Sequence, residues 1–447
     1  MGVILLSMKT VDLMLSARWV VPIEPSGAVL ENHSLVIHDG RIVALVPTDQ
    51  ALTQFQPAEH QQFVEHALMP GLVNAHTHSP MTLLRGVADD MPLYEWLQQH
   101  IWPMEARHVS EEFAHDGSLL ALAEQLRGGT TCFNDMYFFP EVTAKVTTQA
   151  GMRGSIGLLL IDFASAWASD ANEYIQKGLD LYDSNKTEPL LSFCFAPHAP
   201  YSVSEDNLRR IKVLADELDL PIHMHVHETA QEVNEFQARF GMRPLEKLAQ
   251  LGISGPNFLA VHMTQLTDAE IDFLAESGTH VLHCPEASLK LASGFCPVHR
   301  LQEAGVNVAI GTDGTASNND LDMFGEMRTA ALLGKGVSGN AAALPAETTL
   351  RMATLNSAVA LGLADEIGSL VPGKAADVIA VDLSELESQP MTSPISHLVY
   401  AVGRHQVSDV WVAGRQLLRQ RRLISIDEAD LRARIIEWQK RIAAARH

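Results

Sequence analysis

Cysteine is scarce in this chain of 447 residues: Cys132, Cys194, Cys284 and Cys296 stand far apart, with no C-x-x-C spacing. That excludes a disulfide framework and a thiolate zinc site, and it fits a reducing, cytoplasmic compartment. Basic residues are also few, 32 against 54 acidic ones, for a formal net charge of −22. The densest basic cluster is Arg419-Gln420-Arg421-Arg422. A nucleic-acid polymer or an anionic membrane therefore finds no electrostatic footprint, whereas a single nucleoside remains open. No apolar run reaches the length of a membrane span, and the run at 3–6 is too short for a signal core, with Lys9 and Asp12 close behind it. Met8 offers an alternative start. Low-complexity linkers and short-period repeats are absent. Aromatic residues make up only 6%, yet 47% of the chain is hydrophobic and 19% charged, enough apolar surface for a large core and too much for disorder. The length fits two to three domains, or one large barrel with an appendage.

Short strands and turns fill the first 65 residues, over 11–16, 19–23, 34–38 and 41–47, with Asp39-Gly40 as a hairpin turn. The C-terminal end returns to this style, with strands over 376–382, 398–402 and 407–412, then a charged helix over 426–445. Between the ends, short apolar strands alternate with helical stretches about 25 to 35 residues apart, the rhythm of βα units. Strands are expected over 71–75, 130–134, 155–161, 190–196, 221–227, 258–262, 280–284 and 306–312. Eight such units predict an α/β protein with a (β/α)8 TIM barrel, and polar residues collect at strand C-terminal ends, where barrels put active sites. The expected organisation is a barrel over 66–365 and a small β-sandwich domain formed by both chain ends, 1–65 and 366–447.

Histidine, by contrast, is abundant, with 20 residues. His76-Thr77-His78 ends the first barrel strand, and alternation along a strand points positions i and i+2 the same way. His223, His225 and His227 share one face of the fifth strand, where an inward-facing ring without a partner is costly. Parity alone does not choose among these three. Gly311-Thr312-Asp313-Gly314 puts a carboxylate at the tip of the eighth strand. These strands open on one mouth, so their side chains can converge, and nitrogen donors with one carboxylate suit a divalent ion such as Zn²⁺ with room for a water.

The run Met69-Pro-Gly-Leu-Val-Asn-Ala-His-Thr-His78, the His225-x-x-Glu228 pair, Val261-His262 and Gly311-Thr-Asp-Gly314 followed by Ser317-Asn318-Asn319 resemble the amidohydrolase superfamily. Within it the chain is most similar to 5'-methylthioadenosine/S-adenosylhomocysteine deaminases and chlorohydrolase-like relatives. The resemblance extends to Gly368-Ser-Leu-Val-Pro-Gly-Lys-Ala-Ala-Asp377 and Val410-Trp-Val-Ala-Gly414. It implies one divalent metal per chain, most simply Zn²⁺, held by His76, His78, His225 and Asp313, the spacing to Glu228 selecting His225. It further implies that Glu228 passes protons to a ring nitrogen, that His262 orients the attacking water and that Asp313 takes that water's proton. Glu105 would bind ribose hydroxyls and His198 would reach the purine, which makes Glu105, His198, Glu228 and Asp313 the substrate contacts. The implied reaction is hydrolytic deamination at C6 of an adenine nucleoside, 5'-methylthioadenosine or S-adenosylhomocysteine, in a cytoplasmic homo-oligomer.

The chain departs from its relatives after the seventh strand, where Ala287-Ser288 replaces a Ser-Asn pair. His283, near the same mouth, is expected behind the ligands. Gly368 to Lys374 imitates a phosphate loop, but Ala375 replaces the Ser/Thr and a strand follows. No lysine stands at the tip of the third or fourth strand to bridge a second metal. Two rivals remain: the same metal site acting on another amino- or chloro-substituted heterocycle, and a non-catalytic scaffold. A scaffold has no reason to keep four ligands together with Glu228 and His262.

Overall fold

Eight parallel strands form the centre of the computed structural model, which describes residues 8–445; the apolar run at 3–6 lies outside the described residues. They are β1 (Leu72–Thr77), β2 (Thr130–Asp135), β3 (Arg153–Leu160), β4 (Leu191–Pro197), β5 (Ile222–Val226), β6 (Phe258–His262), β7 (His280–His283) and β8 (Val308–Ile310). Each pairs with the next in sequence. The run FLAVH of β6 is buried at every position, as expected of a strand covered on both faces. The ring closes where β8 meets β1. The Asp313 N–H donates to the His76 carbonyl at 3.0 Å and the Thr312 N–H to Asn74 Oδ1 at 3.0 Å. A Cβ on Gly311 would stand 2.6 Å from the His76 nitrogen, so glycine is what lets the two strands approach. All eight expected barrel strands appear, the last shortened to three residues by the turn that carries Asp313.

Helices cover the outside of the barrel. The helix Asp268–Ser277 shows how the sequence delimits them: Thr267 and Glu270 form a capping box, and Gly278 ends it at φ 76°. The helix Glu205–Leu218 buries Leu208, Ile211 and Ala215, three or four residues apart on one face.

Both chain ends contribute to one further sheet, in the order Arg422–Leu423, Arg415–Arg419, Val407–Val412, Val378–Asp382, Phe55–Pro70, Lys9–Val20, Leu30–His38 and Arg41–Pro47. The N- and C-terminal parts join where Leu68 pairs with Ala380. They share a core that includes Leu15, Leu35, Phe63, Val378 and Trp411, with the Phe63 and Trp411 rings edge-on at 5.8 Å.

Two local expectations are corrected, and one strand is added. The segment over 398–402 is not a strand: residues Pro394–Tyr400 form a helix, started by Pro394 in the first turn and the Ser393 side chain accepting from the Ser396 N–H. The expected strands over 11–16 and 19–23 are one continuous strand up to Val20. The strand Phe55–Pro70 went unpredicted because most of its first half is polar and partly or fully exposed.

Candidate metal centre and substrate cavity

His76 sits in β1 and His78 just beyond it, His225 in β5 and Asp313 in the turn after β8, so the four side chains come from three strand ends at one mouth. Their ligating atoms all lie within 4.8 Å of one another. His76 Nε2 and His78 Nε2 are 3.4 Å and 3.2 Å from Asp313 Oδ1, and His225 Nε2 is 3.2 Å from His76 Nε2. The far nitrogen of each ring is already engaged. His78 Nδ1–H donates to the Met136 carbonyl, and His225 Nδ1–H to the His198 carbonyl at 2.8 Å. His76 Nδ1 meets His223 Nε2 at 2.9 Å. Such partners fix ring orientation and leave the Nε2 lone pairs facing the cluster. Three imidazoles and a carboxylate converging in this way fit a divalent metal. Among the described residues the other trio able to hold an ion, Asp12, His38 and Asp39, is exposed on the second sheet.

Burial dominates the electrostatics. It holds His76 down to about 4 and His198 and His262 down to about 3, so these rings are neutral at physiological pH. For Asp313, burial favours the neutral acid, but its contacts with the His76 and His78 rings override it and hold the carboxyl well below its usual range. Glu228 goes the other way. Burial pushes it well above the carboxylate range, reinforced by Asp313 and Glu232. Two site residues, His262 (φ 75°) and Asp313 (φ 62°), and His227 (φ 54°) next to Glu228 adopt left-handed backbone at strand tips, a strain that the surrounding hydrogen bonds must hold.

The cluster opens into a cavity of about 720 Å³, lined at this end by His78, His225, Glu228, His262 and Asp313. The segment after β1 supplies one wall, with Trp96, Trp102 and Glu105. Glu105 accepts a hydrogen bond from the Tyr137 hydroxyl at 2.7 Å, and burial raises its carboxyl to about 7. His198 lines the cavity after β4, its Nδ1 2.9 Å from Ser202 Oγ. The structure thus brings together every candidate site residue named from the sequence.

The three histidines of β5 divide. His225 joins the cluster and His223 backs His76, while His227 turns away and accepts the Leu245 N–H at 3.2 Å. His283 is buried at the end of β7, outside the cavity lining. Ala287 and Ser288 are buried in the short helix Pro285–Lys290 and are not among the lining residues. Lys374, in the segment that imitates a phosphate loop, bonds instead to Glu24 and the Ile367 carbonyl. Sequence reasoning missed Tyr137, which holds Glu105, and gave no role to Ser317, whose hydroxyl donates to Asp313 Oδ2 at 2.8 Å. Tyr137 follows the end of β2 by two residues, and that position was its only signal.

Residues 67–417 match the sequence model of the family described as Amidohydrolase family. A 5-methylthioadenosine/S-adenosylhomocysteine deaminase of Saccharophagus degradans is 50% identical over 97% of this chain and 98% of its own length. A 5'-deoxyadenosine deaminase of Methanothermobacter thermautotrophicus is 42% identical over 89% of this chain and 92% of its own. A zinc-bound crystal structure described as an adenosine deaminase from Xanthomonas campestris superposes with a TM-score of 0.97 at 56% identity, covering 98% of this chain and 100% of the other. The histidine and aspartate motifs, the barrel that assembles them and these near full-length matches lead to one conclusion: the chain belongs to the amidohydrolase family.

Proposed function

We propose that this protein is a metal-dependent aminohydrolase that deaminates C6 of adenine nucleosides bearing a 5'-thioether, 5'-methylthioadenosine and S-adenosylhomocysteine, releasing ammonia. The observation that carries this reading is the shared cavity: a proton donor (Glu228), a neutral imidazole (His262) and an ionised carboxylate (Asp313) line one end, with Glu105 on the wall. The names of the Saccharophagus and Methanothermobacter relatives support the nucleoside class.

His76, His78, His225 and Asp313 would hold the ion, and the zinc in the Xanthomonas neighbour supports Zn²⁺. When bound, such an ion would act as a Lewis acid, making water more acidic and easing its deprotonation near neutral pH. Glu228, kept protonated by burial, donates to purine N1 and makes C6 electrophilic. Asp313 accepts one proton of the attacking water and returns it to the departing amino group; as the C–N bond breaks, the other leaves the new C6 hydroxyl and restores Glu228. His262 is neutral, and its Nδ1 has no partner among the described residues, leaving the ring available to orient that water. Glu105 accepts from the ribose hydroxyls, and His198 reaches the purine. Four buried free cysteines support a cytoplasmic location.

The deciding experiment measures ammonia release from a panel of adenine nucleosides and chloro- or alkylamino-triazines, alongside metal content. Ammonia and an inosyl product from the thioether nucleosides are expected. Turnover of triazines alone would overturn the reading.

A further inference from the structure

Glu228 reaches the cavity from a turn that leaves β5 in strained backbone, and its carboxyl has no donor at hydrogen-bond distance among the described residues. The neutral ring of His262 stands beside it, with Nε2 3.8 Å from Oε1. Its position therefore depends on how the main chain of the turn is held. His227, the residue before it, lies in the left-handed region at φ 54°. That conformation lets the N–H groups of His227 and Glu228 converge on one point, an anion-binding concavity.

The carboxyl group that occupies it belongs to the chain itself: burial raises Glu232 to about 7, while the backbone N–H groups of Glu228, His227 and Thr229 favour its ionised form. Glu232 Oε2 accepts the Glu228 N–H at 2.7 Å, and Oε1 accepts the His227 N–H at 3.2 Å. On the other side the Thr264 hydroxyl donates to the Glu228 carbonyl at 2.8 Å. Glu232 is 2% exposed and stands at the third position of the helix Ala230–Phe240, capped by Thr229. A glutamate there ordinarily reaches back only to the capping residue, as one half of a capping box. This one reaches past Thr229 to the two residues that form the strained turn.

We propose that Glu232 is a positioning residue for Glu228: its carboxylate clamps the turn after β5 and so sets where the Glu228 carboxyl stands over the substrate ring. The proposal rests on Glu228 being the proton donor. Both carboxylate oxygens are used, so an amide in their place turns an NH2 toward a backbone N–H and opens half of the clamp. An ångström of displacement at a reacting group can cost on the order of 100-fold in rate.

A double-mutant cycle tests this. Glu232→Gln should lower kcat by about 10- to 100-fold with KM changed by less than about threefold and metal content unchanged. In a Glu228→Gln background the same substitution should change the residual kcat by less than about threefold, because the group it positions is already gone. Unchanged kcat in Glu232→Gln, loss of metal from it, or multiplying losses in the double variant would each overturn the proposal. Should Glu232→Gln not fold, Glu232→Asp, which keeps the charge but withdraws it by one methylene, is carried through the same cycle. Near-normal activity of Glu228→Gln alone would instead overturn the reading of Glu228.

Discussion

His76 Nδ1 and His223 Nε2 lie 2.9 Å apart in the buried interior of the barrel, and this contact decides which nitrogen of His76 is free to bind an ion. His78 and His225 face backbone carbonyls, which accept only an N–H and so leave Nε2 bare. His223 can donate or accept. With an ion on His76 Nε2, the His76 proton sits on Nδ1 and His223 must accept it. Burial keeps His223 well below the usual histidine range, so it is neutral and able to do so. Replacing His223 with alanine should weaken metal binding by about 10- to 100-fold, measured by chelator competition. His227→Ala should bind the ion as tightly as the parent, since its ring serves Leu245. Undiminished affinity in His223→Ala would remove the contact from the account of the site.

The purified protein should hold about one divalent ion per chain, and His225→Ala should lose both metal and activity. Three remaining donors leave the ion labile, and the site gives no substitute, because His223 and His227 are engaged elsewhere. Elemental analysis after dialysis checks this. Stoichiometric metal in the variant would move the ligand role to His223 or His227.

The βα rhythm and the HxH, HxxE and GTDG runs were readable because a barrel strand exposes its chemistry at a fixed place, its C-terminal end. Period-2 alternation put His223, His225 and His227 on one face but could not divide them, since their separate roles depend on the His76 ring and the Leu245 amide, which arrive from other elements. The strand Phe55–Pro70 was hidden for a similar reason: its polar first half reads as a loop until Lys9–Val20 pairs with it. The helix Pro394–Tyr400 carries β-branched and aromatic residues that imitate a strand, and Pro394 with the Ser393 cap outweighed them. Tyr137 carried no motif, and its contact with Glu105 exists only in the folded chain.

Glu228→Gln should keep its metal and lose on the order of 100-fold or more in turnover, the range for a positioned acid–base group. The pH dependence follows from the direction of its shift. Glu228 acts as the acid, so the parent's kcat should be full below its raised pKa and fall as pH rises through it. A rate profile that keeps this alkaline limb in Glu228→Gln would assign the limb to another group.

Glu105 should govern the acid side. Its carboxyl is raised to about 7 by burial, and the ionised form accepts from both ribose hydroxyls. KM for a nucleoside should therefore fall as pH rises through about 7, and Glu105→Gln should flatten that limb. The stability sign is opposite. The unfolded chain ionises this group from its ordinary value of 4.5 upward while the fold keeps it protonated, so its contribution to stability is lost between there and about 7. A KM independent of pH across 6 to 8 in the parent would separate Glu105 from the ribose.

The last expectation concerns the 5'-tail. 5'-Methylthioadenosine ends in an apolar methylthio group, whereas S-adenosylhomocysteine ends in an ammonium and a carboxylate that wants a cation. The segment over 154–208 contains no arginine, and its larger apolar residues Leu159, Ile161, Phe163, Val203 and Leu208 are among those that line the cavity, with the Trp102 ring 6.3 Å from that of Phe163. Leu158, Leu160 and Trp167 belong to the core instead. Arg85 is tied to Glu124 and the Asn319 carbonyl and does not line the cavity. Lys247 lines it but is paired with Glu205 at 2.5 Å. That leaves Arg239, exposed and stacked over Phe240 at 4.9 Å, where solvent weakens its grip on a carboxylate. Burial of the methylthio group should outweigh this contact, so kcat/KM should be higher for 5'-methylthioadenosine. Arg239→Ala should widen the ratio between the two substrates by up to about tenfold, corresponding to the ~1.4 kcal/mol of one charge-assisted hydrogen bond. Side-by-side kinetics decide it. Equal or better efficiency with S-adenosylhomocysteine, unaffected by Arg239→Ala, would mean that another cation meets the tail.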